Sequence, residues 1–101
     1  MNKRITAIHL DNGVIQLSGE LSFNTVNDVL PQGKRWLADS AGVDIDLKGI
    51  TRADSAGLAL LVAWMRDAEQ MKKNIRFLNI PDQMRAIATV CGLNGLLPTG
   101  Q

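Results

Sequence analysis

The chain carries one cysteine, one histidine, no tyrosine, two phenylalanines and two tryptophans in 101 residues. A lone cysteine, Cys91, cannot close an internal disulfide, which fits a reducing compartment; a core position is expected for it. With His9 as the only histidine, neither CxxC nor HExxH spacing exists, so a zinc site has no ligand set. His9 falls in a strand alternation, where a structural role is expected, and nothing pairs it by spacing with a serine for nucleophilic catalysis. GxGxxG and GxxxxGK[ST] are both missing, so nucleotide binding by this chain is not indicated. Charge of one sign is also missing. Eleven basic and ten acidic residues leave a net charge of +1, and no basic block stands out, so nucleic acid is not expected as a partner. No apolar run approaches the roughly 18 residues that cross a bilayer. Met1-Asn2-Lys3-Arg4 leads into a strand pattern without an apolar signal region. The expectation is a cytoplasmic protein with no metal and no cofactor, one that reaches any membrane process through a partner.

What is present is an ordinary globular composition, 46% hydrophobic and 21% charged, in a length suited to a single domain over residues 1–101. Arg4 to Leu10 alternates Ile5, Ala7 and His9 against Thr6, Ile8 and Leu10 and predicts a strand. Asp11-Asn12-Gly13 is a hairpin turn signal, and Val14 to Ser18 returns as a second strand. Gly19-Glu20-Leu21-Ser22 reads as a loop. Phe23, Val26, Val29, Leu30, Trp36 and Leu37 suit a helix between about 24 and 39, kinked or started late by Pro31. Asp39-Ser40-Ala41-Gly42 stops it.

Val43 to Leu47 alternates again and predicts an interior strand, with Asp44 and Asp46 on its polar face as solvated residues. A helix follows from Ser55 to about Met71, with Leu58, Leu61, Val62, Met65 and Ala68 at core spacing. Ile75 to Ile80 predicts a strand. Pro81 and Asp82 open a last helix whose stripe is Met84, Ile87, Ala88 and Cys91; Gly92 stands at C′ with Leu93 as its apolar contact. Leu96-Leu97-Pro98 is expected to pack back. The order implies an α/β fold, a mixed sheet with helices on one face.

The chain is organised around Val43 to Leu61. A strand runs through a polar connection to Asp54-Ser55-Ala56-Gly57, where a helix begins. Asp and Ser are strong N-cap residues, and Ala56 and Gly57 leave the first turn almost without side chains. One reading is a plain helix cap. The other is a docking or phosphorylation site in which a modified Ser55 meets free N–H groups, opposed by the charge of Asp54. Leu60 and Trp64 form a second apolar patch away from the core stripe, near Ala56, Ala59 and Ala63. Either the helix packs on two sides within its own domain, or this patch is exposed and waits for another protein.

The run Asp54-Ser55-Ala56-Gly57-Leu58 resembles the signature of STAS domains, shared by sulphate transporters and anti-sigma-factor antagonists. Arg52 to Met65, RADSAGLALLVAWM, is similar more narrowly to the MlaB-type STAS proteins of the bacterial phospholipid-transport ABC system. Leu17-Ser18-Gly19-Glu20-Leu21 and Ile75 to Ala88 extend the likeness over nearly the whole chain. The resemblance implies the STAS fold, with a four-stranded sheet. It implies a non-enzymatic subunit that binds an MlaF-like ATPase, and through it a permease, at the inner membrane, in a complex that maintains outer-membrane lipid asymmetry. Asp54, Ser55, Ala56, Gly57, Leu58, Leu60 and Trp64 are the partner-binding residues it suggests. Resemblance to the anti-sigma-factor antagonists implies the alternative, a switch worked by phosphorylation of Ser55. Ala56 in place of a second hydroxyl and the ALALL run depart from that group. A STAS domain that binds a small apolar ligand is a third possibility, by fold analogy.

Overall fold

The computed structural model describes residues 4–10, 13–93 and 95–98. The first hairpin pairs β1 (Ile5–His9) antiparallel with β2 (Val14–Leu21). Asp11 and Asn12 of the expected turn lie outside the described residues, as do Met1 to Lys3. Gly13 has φ 83, and its N–H donates to Leu10 O while Leu10 N–H donates to Val14 O. β2 continues past Ser18 through the segment expected to be a loop. It does so because Ser18 to Leu21 pair with Gly49, Ile50, Arg52 and Ala53 across register shifts that absorb the glycines.

The same pairing lengthens β3 to Gly42–Ala53, well beyond the expected end at Leu47. A bulged ladder holds polar residues in a strand that alternation alone would have ended. β3 lies inside the sheet, parallel to β2 on one side and to β4 (Asn74–Leu78) on the other, giving the order β1-β2-β3-β4. Asn79, expected on the end of β4, instead takes φ 56 and ends the strand.

The helix expected between 24 and 39 is two, α1 (Val26–Val29) and α2 (Gln32–Ala38), separated at Leu30-Pro31. Proline cannot donate to the preceding turn, so the break falls where the sequence places it. α3 (Ser55–Met71) follows β3, and α4 (Asp82–Val90) follows β4. Lys73 N–H donates to Ala68 O and Lys72 N–H to Glu69 O, a Schellman closure of α3 that puts Lys72 at φ 57. The same pair of bonds, Leu93 to Ala88 and Gly92 to Thr89, closes α4 with Gly92 at φ 73.

Side chains on one sheet face (Ile15, Leu17, Leu21, Val43, Ile45, Leu47, Ile75 and Phe77) are buried beneath the helices. The other face keeps Gln16, Asp44, Asp46 and Arg76 in contact with solvent. There Arg76 donates from Nε and Nη2 to the two oxygens of Asp44, and Asp46 accepts from Asn79 Nδ2 and Lys48 N–H. The hydrogen bonds and charge of Arg76 hold the Asp44 carboxyl below its usual range. Both aspartates thus stand on the solvent-facing side of the sheet, the polar face expected for them, but on an interior strand with neighbouring side chains as partners.

Two expectations of burial near the C-terminal end also fail. Cys91 is exposed, because the α4 stripe runs past the edge of the core at its last turn and the residue becomes the C-cap. Leu96 is 62% exposed, whereas Leu97 packs on the core and Pro98 O accepts from Phe77 N–H. The C-terminal segment therefore covers the β4 edge.

Candidate functional site

The loops after β2 and β3 emerge side by side, because the two strands are parallel neighbours. Asp54 joins them. Its Oδ1 accepts from Ala56 N–H and Gly57 N–H, and its Oδ2 accepts from Phe23 N–H at 3.1 Å. Asp54 is therefore the N-cap of α3, and Ser55 is the first helical residue. The turn is not bare: a carboxylate already fills it, so an incoming anion would meet engaged donors and a negative charge.

Gly57 lies close beneath, where an added Cβ would stand 2.5 Å from Leu21 O. Glu20, nearly buried, accepts from Ser22 Oγ, while Thr25 Oγ1 donates to Glu20 O and accepts from Ser22 N–H. This network fixes the first loop, which leaves Phe23 79% exposed.

The expected partner-binding residues separate by burial. Ser55 is exposed; Asp54 and Ala56 are half-buried; Gly57 and Leu58 are buried. Leu60 is 3% and Trp64 0% exposed, so the second apolar patch is not an open surface. Trp64 Nε1 donates to Leu30 O at 3.1 Å, a carbonyl at the Pro31 break that also accepts from Gly33 N–H, and its ring meets Trp36 edge-on at 5.3 Å. Gly33 makes room for it, since a Cβ there would lie 2.2 Å from Trp64 Nε1. His9 in turn sits edge-on to Trp36 at 5.9 Å. α3 thus packs on two sides, with Leu58, Leu61 and Ala68 buried on one and Leu60 and Trp64 on the other.

Beyond Leu60, on the side away from Leu58 and Leu61, α3 presents a strip of small residues. Val26, Leu30, Ala56, Ala59, Leu60 and Ala63 line a cleft of about 210 Å³ beside Ser55, all apolar. Leu30 and Ala63 also border a second hollow of about 420 Å³, flanked by Pro31, Lys34 and Asp67. Together they make one groove between α1–α2 and α3, apolar near Ser55 and charged at its far end. Sequence alone places Val26 and Leu30 in the apolar set of a helix and does not assign them to a surface. The signal that could have moved them outward is Pro31, which ends α1 and turns Leu30 to the rim. Among the described residues, no group of histidine, cysteine and carboxylate side chains could hold a metal ion.

The family model described as the MlaB STAS domain matches residues 6–98. The chain belongs to this STAS family. It is 30% identical over 88 residues to the Haemophilus influenzae protein named "Intermembrane phospholipid transport system binding protein MlaB", covering 83% of this chain and 84% of that one. In fold it is similar to an anti-sigma factor antagonist from Mycobacterium paratuberculosis, with TM-score 0.78, 24% identity, and 98% and 87% of the two chains covered. The unphosphorylated anti-sigma factor antagonist SpoIIAA gives TM-score 0.70 at 16% identity, covering 96% and 88%. These solved structures show the STAS fold, a mixed sheet backed by helices.

Proposed function

We propose that this STAS protein is a non-enzymatic accessory subunit of a phospholipid-transport ABC complex and docks on the ATPase through the rim of α3. The observation that carries the reading is the apolar groove lined by Ala56, Ala59 and Ala63, which begins one residue after Ser55. Its apolar lining supports docking of a polypeptide, which would bury that surface. The 30% identity to a curated MlaB over most of both chains supports the transport assignment. Ser55, Ala56, Ala59 and Ala63 form the contact strip, and Leu30 and Val26 form its opposite wall. Leu60 is the floor. Trp64 acts from beneath, holding the α1–α2 break so that the groove keeps its width, and so differs from the exposed anchor expected of it.

Among the described residues no helix is long and apolar enough to cross a membrane. In this reading the protein is cytoplasmic and reaches the inner membrane and the permease through the ATPase. The test is co-purification with the ATPase subunit of such a complex, using Ala59→Arg and Ser55→Asp. Both variants should keep the wild-type circular dichroism spectrum and lose the ATPase. Wild-type retention by both would remove the proposed face.

One observation favours the signalling alternative: Ser55 is an exposed residue. The Asp54 carboxylate in the same turn opposes a phosphate there. Intact-mass analysis after incubation with a serine kinase separates the readings, since stoichiometric phosphate on Ser55 would favour the switch.

A further inference from the structure

We propose that the β1 edge pairs with β1 of a second copy of this chain, joining two sheets into one of eight strands. This inference does not depend on the docking face above: the groove uses α1–α3 side chains, the edge uses backbone.

Leu10 N–H donates to Val14 O and Glu20 N–H to Arg4 O. With the register Thr6↔Ser18 and Ile8↔Gln16, the even-numbered residues of β1 bond to β2. Ile5, Ala7 and His9 therefore aim their N–H and C=O groups away from the sheet. The other edge differs, because Pro98 O already takes Phe77 N–H.

Natural edges are usually blunted by proline, lysine or a bulge. Ile5–His9 has no proline or formal charge, and its register with β2 is unbroken. It is also self-complementary. A two-fold axis at Ala7 sets Ile5 against His9 of the other copy and Ala7 against Ala7, so every outward group meets a partner. Ile8, 47% exposed on the open sheet face, then lies diagonal to its own copy. No like charges meet along these five positions. So short an edge falls well below the roughly 1,200 Å² of a stable interface, which makes the pair weak and reversible.

The full chain should shift from monomer toward dimer in analytical ultracentrifugation between about 10 µM and about 1 mM. Over that range amide exchange at Ile5, Ala7 and His9 should slow while exchange at Phe77 stays constant. Ala7→Pro removes an outward N–H, a change that edge strands tolerate, and should weaken pairing about tenfold or more. Ile8→Lys, at an exposed side chain, keeps the proposal testable if the proline variant does not fold; it should weaken pairing several-fold. A chain that stays monomeric throughout overturns the proposal. So does a dimer without slowed exchange at those three amides, or one that a folded variant leaves intact.

Discussion

Leu60 and Trp64 on one flank of α3, and Ala59 and Ala63 beside them, belong to a single apolar stretch, yet their surroundings differ completely. The first pair lies under α1 and α2, at 3% and 0% exposure. Ala59 is exposed and Ala63 half-buried, at the rim of a groove that none of the described residues fills. Large residues went where the domain could enclose them, and small ones line what stayed open. The larger apolar surface gains more by burial, so an enclosed position near a helix break goes to tryptophan. A recognition strip can be built from alanines because the groove walls, here Val26 and Leu30, supply the shape.

The sharpest way to break this contrast is at Trp64. Trp64→Ala removes a fully buried ring, its bond to Leu30 O and its contact with Trp36. It should cost about 3–5 kcal/mol of stability in chemical denaturation. Loss of a partner in that variant would therefore report unfolding. If Trp64→Ala melted like wild type, the division between enclosed and open flanks would be wrong. Gly33→Ala probes the same packing from the other side: its new Cβ would press on Trp64 Nε1. About 1–3 kcal/mol is expected from overpacking, and a cavity-making Trp64→Phe in the same chain should recover part of it.

Much of this was legible in the residues, and what was not has definite physical causes. Alternation located four strands, the Asp54 cap fixed the start of α3 and Gly92 fixed the end of α4, because each is a local rule satisfied by neighbouring residues. The extensions of β2 to Leu21 and β3 to Ala53 were not legible, because each exists only through its pairing with the other across a bulged register. Periodicity showed that α3 has two apolar sides. It could not show that α2 covers the second, since that depends on where Pro31 breaks the preceding helix and on Gly33 admitting an indole. Cys91 failed for a related reason: a stripe at i, i+3, i+4 and i+7 outlasts the surface it packs on.

Asp54 comes next in expected size. Asp54→Ala loses the acceptor for Ala56 N–H and Gly57 N–H and the bridge to Phe23 N–H. A cost of about 1–2 kcal/mol follows from the cap. The loop after β2 should loosen with it, seen as faster amide exchange at Phe23. An unchanged Phe23 amide would mean that the Glu20–Ser22–Thr25 network holds that loop alone.

The smallest effect on stability should come from the open flank, and there the comparison is most exposed to failure. Ala59 points to solvent in the free chain, so Ala59→Arg displaces no packing partner and should leave stability within about 0.5 kcal/mol. On the docking reading the same change fills the cleft with a long cation among Val26, Leu30 and Leu60, and the complex with the ATPase should be lost. Ala59→Ser, which adds one hydroxyl at the rim, should leave binding near wild type. The graded pair matters because it separates shape from folding. A cleft that tolerates arginine as readily as serine is not occupied by a partner, whatever the fate of Ser55.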